Sequence, residues 1–271
     1  MTEASSSDTV FAGSIPHVYD RYMVPLLFAP YARIVAERAR ALAPADILET
    51  AAGTGIVTAE LHRALPRARI TATDLNPPML QQAAKRVGGD SVRLVEANAQ
   101  ELPFEDSSFD LVVCQFGIMF FPDKVKANSE ARRVLRDGGT YLLVIWDRID
   151  RNVATHVAGR AVASLFPKAS GAFYERIPFR YHDQDEIRAD LSVAGFERIE
   201  IETIELQSQA ASARDAAIGL VQGTPMRSEI EQRDPAMLRV ATDAAAEALK
   251  PMESETGFEA PMSALLVTAT K

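Results

Sequence analysis

Apolar and polar positions change rhythm twice along the chain. From Ile15 to Ala43, Tyr19, Tyr22, Met23, Leu26, Leu27, Tyr31, Ile34 and Val35 form apolar faces at helical spacing. Pro25 and Pro30 fall inside this stretch and lack the amide hydrogen that a helix needs, so two or three short helices are predicted rather than one. Short β-type runs follow at Asp46–Thr50, Arg69–Asp74, Val92–Glu96, Phe109–Cys114 and Thr140–Trp146, with helical patterns at about 56–65, 77–87 and 123–136 between most of them. Mostly apolar strands alternating with helices predict a parallel sheet covered on both faces. Asn76 before Pro77 is read as a helix cap, and Gly138-Gly139 as the end of the helix containing Val134-Leu135.

After Trp146 the alternation stops. Helices are expected at about 152–166 and 184–194, a strand at Arg198–Leu206, an Ala-rich helical region over about 210–249 and a final strand at Met262–Thr270. Along Glu200–Glu205, Glu alternates with Ile or Thr, the pattern of a strand with one solvated face. The expected fold is α/β: a doubly wound, mostly parallel seven-stranded sheet with an antiparallel last strand, N-terminal helices, and a helical insertion before the last strand. Residues 1–44 read as a polar tail, expected to be mobile up to about residue 15, and helices capping the active site. Residues 45–150 read as the α/β core, and 151–271 as sheet completion with a substrate-side helical insertion in the same domain.

Composition narrows the partners. The net charge is −8, and no run of five basic residues occurs, which argues against DNA as a partner. The single cysteine, Cys114, cannot form an internal disulfide or a cysteine-based zinc site, and its apolar run predicts burial. No metal is expected. The first residues lack the basic and apolar regions of a secretion signal, and no apolar run is long enough to span a bilayer. A cytoplasmic protein without stable membrane insertion is therefore expected, and a homo-oligomer is compatible with this reading.

The chemistry concentrates in Ile47-Leu48-Glu49-Thr50-Ala51-Ala52-Gly53-Thr54-Gly55-Ile56-Val57-Thr58, where a strand ends on an acid and turns through glycines into a helix. Gly53 and Gly55 let the backbone approach a ligand closely. A dinucleotide fingerprint would want glycine or alanine where Thr58 stands, and Glu49 is a poor neighbour for pyrophosphate but a good one for a cation. Taken alone, the glycine turn fits either cofactor class. The next strand, Ile70-Thr71-Ala72-Thr73-Asp74, decides between them, because a carboxylate at its end can accept bonds from the two hydroxyls of a ribose. Leu75 and Met79 would offer apolar surface to a flat purine, with core packing the alternative for Met79 and helix capping for Asp74.

Over about residues 45–146 the sequence resembles the class I S-adenosylmethionine-dependent methyltransferases, whose fold is Rossmann-like, and most of all the ubiquinone and menaquinone biosynthesis branch. The resemblance continues in register through Val95–Phe104, Ser108–Val113, Phe120-Phe121-Pro122-Asp123 and Arg133–Gly139. It implies S-adenosylmethionine as cofactor and S-adenosylhomocysteine as product. By the same resemblance, Glu49 lies near the methionine part, Gly53 and Gly55 form the turn beneath it, and Asp74 binds the ribose. Asn98 and Ala99 meet the adenine, and Cys114 and Gln115 line the methionine moiety. The family pattern is broken in three places. Ala51 stands where many members have glycine, Asn98 replaces an aspartate, and Met119-Phe120 occupies a place where two histidines are common.

Methyl transfer from a sulfonium needs an acceptor atom held in line, and a base only where the acceptor loses a proton. His17 and Tyr22 are the acid/base candidates. Tyr19, Phe116, Trp146 and His156 are the acceptor-side candidates, with Asp147 and His182 also in segments expected to cover the strand ends. Core packing competes for the tyrosines and a structural role for the histidines. The favoured function is methylation of a small molecule at O, N or C. The alternatives are a protein or RNA methyltransferase and a non-catalytic cofactor-binding module, with a nicotinamide oxidoreductase a distant fourth.

Overall fold

The computed structural model describes residues 15–167 and 173–271, so the tail expected to be mobile, residues 1–14, lies outside the described residues. The chain opens with α1 (Ile15–Val18), a π-helical segment (Tyr19–Phe28) and α2 (Ala29–Leu42). The core alternates β1 (Asp46–Glu49), α3 (Ile56–Ala64), β2 (Arg69–Asp74), α4 (Pro77–Arg86), β3 (Val92–Glu96), β4 (Phe109–Gln115), α5 (Lys124–Val134) and β5 (Leu135–Trp146). Then come α6 (Val153–Ser164), α7 (Phe173–Arg176), α8 (Gln184–Val193), β6 (Arg198–Ala210) and α9 (Ala213–Gln222). The last elements are α10 (Met226–Arg233), α11 (Met237–Leu249), β7 (Glu253–Ser254) and β8 (Gly257–Thr270).

The expected doubly wound sheet is present. Strand order is β3-β2-β1-β4-β5-β8-β6, with β7 paired to β8 as a short addition to the seven strands expected. The pairs β1–β2, β1–β4, β2–β3 and β4–β5 are parallel, and β8 runs antiparallel to β5. The contacts group into two compact units. One holds the described residues up to Pro30 together with Asp147–Arg180 and Glu205–Ser263; the other holds Tyr31–Trp146, Tyr181–Ile204 and Ala264–Lys271.

Several local expectations change. Between Ile15 and Leu42 the prolines do not split the chain; the helix widens instead, with the Ala29 amide donating to the Val24 carbonyl five residues back. The wider turn takes in Pro25, which has no amide hydrogen to offer and whose ring would crowd a tighter helix. Asn76 does precede α4, but its side chain does not cap; the amide turns to the Asp74 Oδ1 instead, at 3.3 Å. Gly138 and Gly139 lie inside β5 rather than ending a helix, because Lys271 pairs with both: Gly138 N–H donates to the Lys271 carbonyl and Lys271 N–H to the Gly139 carbonyl, each at 3.0 Å. The Ala-rich region forms α9, α10 and α11 rather than one continuous helix. The single solvated face expected over Glu200–Glu205 is only partly kept in β6: exposure alternates up to Glu202 and then shifts by one residue, so that Thr203 and Glu205 are exposed as well as Glu200 and Glu202.

The amino ends of the central strands are tied by charge. Arg69 grips Asp46 with bonds of 2.6 and 2.7 Å, while Arg136 reaches Asp46 at 3.0 Å and Asp110 at 2.6 Å. Burial pushes the Asp46 carboxyl up, but the Arg69 and Arg136 bonds pull it further down, and it settles below the usual carboxylate range.

Gly139 offers a direct test of the β4–β5 register. A Cβ there would sit 2.8 Å from the Arg136 carbonyl oxygen and 3.0 Å from that of Asp110, and neither backbone group can swing away. Gly139→Ala is expected to cost about 1–3 kcal/mol. Urea unfolding measures it; an unchanged midpoint would show that the two strands separate more easily than this packing allows.

Candidate functional site

β1 ends on Glu49, β2 on Asp74 and β4 on Gln115, and the three strands are parallel, so these residues share one edge of the sheet. Strand order reverses at β1, with β2 and β3 to one side and β4 to the other. Ligands of open α/β sheets bind in the crevice outside such a reversal.

Glu49 is 2% exposed, and its Oε2 accepts a 2.6 Å hydrogen bond from the hydroxyl of Thr58, itself fully buried in the first turn of α3. Burial pushes the Glu49 carboxyl up to about 8; the Thr58 bond pulls the other way, and the nearby Asp74 adds to the rise. Asp74 is 7% exposed and burial raises it too, against backbone bonds from Asn76 and Gly53. Among the described residues neither acid is hydrogen-bonded or ion-paired to a Lys, Arg or His.

Between the acids the chain makes a left-handed turn. Ala51, Gly53 and Gly55 have φ of 53°, 56° and 78°. The Gly53 amide donates to Asp74 Oδ2 at 2.8 Å and the Asn76 amide to Oδ1 at 2.8 Å. Counting the Asn76 side chain, three of the roughly four acceptor positions of a carboxylate are in use. Asp74 therefore braces the turn through Gly53 and also holds the start of α4 through Asn76, the helix-capping role that was the alternative to ribose binding.

Alanine at 51 costs roughly 1–2 kcal/mol in this conformation. Its methyl group is accommodated by Gly117, where a Cβ would lie 2.5 Å from the Ala51 Cβ and 2.9 Å from Cys114 Sγ. Sequence reading missed Gly117 and the Thr58 contact, since neither carries a motif of its own. Cys114 is buried as expected, and burial pushes its thiol up to about 11, so it is neutral. Gln115 is half-buried beside it.

At the neighbouring strand end the Ala97 amide donates to the Asp74 carbonyl at 3.1 Å, bringing Asn98 and Ala99 beside Asp74. Asn98 is exposed, and its side-chain oxygen already accepts the Gln100 amide at 2.9 Å. Ala99 is buried. Leu75 is 59% exposed, whereas Met79 is buried in the core, the packing role weighed against purine contact. Met119 is buried next to Gly117 in a short 3-10 turn, Ile118–Phe120.

Phe116 follows β4 with φ of 55°, and its ring stacks on Trp146 with centroids 3.8 Å apart. Tyr31 meets both edge-on, at 5.4 and 5.8 Å, and its hydroxyl donates to the Ile204 carbonyl at 3.2 Å. These three rings form one buried cluster; Tyr31 was legible in the sequence only as part of a helical apolar face. His182 is half-buried in the same unit.

The remaining candidates belong to the other unit. His17 is exposed on α1, Tyr19 stacks on Phe28 at 5.0 Å, and His156 is half-buried on α6. The Arg21 guanidinium lies 5.2 Å from the Tyr22 ring, and Tyr22 lines a cavity of 570 Å³ with Arg21, Pro25, Gln209, Asp215 and Phe258. Asp147 is a structural node: it accepts the Ser263 hydroxyl at 2.8 Å, while Asn152 and Ser263 exchange bonds of 3.0 and 3.2 Å. Among the described residues no cluster of three potential metal ligands occurs.

Comparison with known proteins agrees with this geometry. Residues 48–143 match the family model described as a methyltransferase domain. A ubiquinone/menaquinone biosynthesis C-methyltransferase from Brucella abortus is 34% identical over 166 residues, covering 56% of this chain and 62% of the relative. Its counterpart from Brucella anthropi is 35% identical over 166 residues, 56% of this chain and 63% of the relative. The chain thus spans less than two thirds of the length of these curated relatives. A structure titled a putative methyltransferase from Bacillus halodurans superposes with a TM-score of 0.57 at 20% identity, covering 88% of this chain and 98% of that one. The [4+2]-cyclase SpnF superposes equally well, at 0.57 and 18% identity over 90% of this chain and 81% of that one. At such identities the likeness is one of fold, and a fold does not name a reaction.

Glu49 also sets a testable pH dependence. The folded protein without ligand holds this proton up to about pH 8, whereas the unfolded chain releases it near the ordinary value of 4.5. Its contribution is therefore full below about 4.5 and is lost as pH rises towards 8. Glu49→Gln has no such proton, so the variant should gain on the natural protein across this window, by roughly 2 kcal/mol or more at its upper end. Thermal unfolding at pH 5 and pH 8 reads the difference; a constant difference would mean that Glu49 is already ionised in the ligand-free fold. Two buried acids flanking a left-handed glycine turn, with no cation of the protein beside them, fit a nucleoside that carries its own positive charge. Residues 48–143 match a methyltransferase domain, and over 166 residues the chain is similar to ubiquinone/menaquinone biosynthesis C-methyltransferases.

Proposed function

We propose that the protein transfers a methyl group from S-adenosylmethionine to a small-molecule acceptor. The observation that carries this reading is the pairing of buried Glu49 and Asp74 across the Ala51–Gly55 turn. Glu49 would take the charged methionine end of the cofactor and Asp74 its ribose, with Leu75, Asn98 and Ala99 towards the base. Cys114 and Gln115 would line the methionine moiety. Carbon is the favoured acceptor atom, because the relatives are named as C-methyltransferases. The acidic net charge supports a small molecule over RNA or DNA.

When bound, S-adenosylmethionine supplies a methyl group on a positively charged sulfur. The protein's part is to hold donor and acceptor in line and to keep water out. The cluster of Phe116, Trp146 and Tyr31, packed ring on ring at the ends of β4 and β5, is suited to the second task. His17 and Tyr22 are the acid/base candidates, and Tyr19 and His156 are further acceptor candidates. No helix of the described residues is long and apolar enough to cross a membrane, which leaves an acceptor reached from water or from a membrane surface.

S-adenosylhomocysteine should raise the melting temperature and NAD should not; stabilisation by NAD alone would overturn the cofactor assignment. Asp74→Ala is expected to weaken nucleoside binding about 10- to 100-fold, whereas Glu200→Ala on the exposed face of β6 should leave it unchanged. Isothermal titration separates the two. Transfer of a labelled methyl group, screened against quinol precursors, phenols, amines and RNA, tests the acceptor class; labelling of RNA alone would refute the small-molecule reading.

A further inference from the structure

We propose that Thr58 is a positioning residue for the cofactor site: its hydroxyl fixes one oxygen of Glu49, so that uptake of a nucleoside bearing an ammonium group displaces one proton from that acid. This rests on the cofactor reading above and adds a residue and a proton that the reading does not need.

Glu49 is held from two neighbouring elements. Glu49 ends β1, and Thr58 approaches it from the first turn of α3 at 2.6 Å, with both side chains buried. Thr73 on β2 holds the Glu49 carbonyl with its own hydroxyl at 3.0 Å, so backbone and side chain of the acid are each pinned by a threonine. The groups that face the carboxyl are Thr58 from α3, Asp74 from β2 and Cys114 from β4. Cys114 is neutral, Asp74 is a second acid, and none of the three is a cation. An ionised Glu49 in this enclosure has one strong donor and no counter-charge, which favours the neutral acid. A bound ammonium supplies the missing charge and reverses the preference, and the proton leaves to solvent. A hydroxyl suits both states, since it can donate to a carboxylate or accept from a carboxylic acid. Valine at 58 would keep the shape and remove the donor that favours the ionised form.

Titration calorimetry of the full chain at pH 7, in phosphate and in Tris, counts protons released on binding. S-adenosylhomocysteine carries the ammonium; adenosine has the same base and ribose without it, and reads Asp74 alone. The expected result is close to one proton released with S-adenosylhomocysteine and none with adenosine, and an affinity for the former that rises up to tenfold per pH unit from 6 towards 8. Thr58→Val should weaken S-adenosylhomocysteine about tenfold and move that rise to higher pH, with adenosine unaffected, and Thr58→Ser should restore both. Equal proton release by the two ligands, or none by either, overturns the proposal, and the natural protein alone decides this should Thr58→Val fail to fold. An unchanged pH profile in a folded Thr58→Val overturns the role of Thr58. Failure of both ligands to bind the natural protein would instead remove the cofactor reading beneath it.

Discussion

Two carboxyl groups are buried at one edge of the sheet without a positive charge to answer them, and the rest of the site is arranged around that imbalance. The opposite edge shows how this chain treats acids that are purely structural. Asp46 and Asp110 are gripped by Arg69 and Arg136, and these contacts outweigh burial and hold both carboxyls below their usual range. At the carboxyl ends of the same strands the balance is reversed. Glu49 receives one hydroxyl and Asp74 receives backbone amides and the Asn76 side chain, and burial raises both. Taking an ion out of water costs several kcal/mol unless a partner offsets it. A fold that leaves this cost standing at two adjacent strand ends, within a crevice, is built for a ligand that brings the partner.

The backbone follows the same logic. Ala51 and Phe116 both adopt left-handed φ values that side chains avoid, and both stand where strands end at the crevice. Each is held by its surroundings: Ala51 by the space left at Gly117, Phe116 by the stack on Trp146. At Gly55 a larger residue would be strained by the φ of 78°, and its Cβ would crowd Ala83 of α4 at 3.0 Å. The turn therefore fixes how close α4 comes to it, and α4 begins immediately after Asp74 and Asn76. Position and charge of the two acids are thus set by the same few residues.

Much of this was legible in the chain because it rests on local rules. Strand ends on Glu49 and Asp74, a glycine turn through 53 and 55, and alternating apolar runs are short-range signals, and all recur in the structure. What escaped depends on contacts distant in sequence. Gly138 and Gly139 read as a helix stop because two glycines after a helical pattern have that meaning locally; their pairing with Lys271, more than 130 residues on, places them in a strand. Asp147 read as an acceptor-side residue, and its tie to Ser263 cannot be seen from its neighbours. Gly117 carries no local signal, and its role lies in its close approach to Ala51. Thr58 was noticed only as an absent glycine, although its position, nine residues after Glu49, places its hydroxyl within reach of that acid once the strand has turned into a helix.

That last case bears on why this glycine turn suits a cation better than a pyrophosphate. In a dinucleotide site the third small residue lets helix and strand pack closely, and the positive end of the helix meets the phosphates. Here the equivalent place is filled by a buried hydroxyl that spends its hydrogen bond on an acid at the end of the preceding strand. A pyrophosphate would meet Glu49 and Asp74 instead of empty backbone amides, and one of those amides, that of Gly53, is already bound to Asp74. On the proposed reading, the same loop-to-helix geometry would hold a positively charged nucleoside rather than an anion through three side chains: Glu49, Thr58 and Asp74.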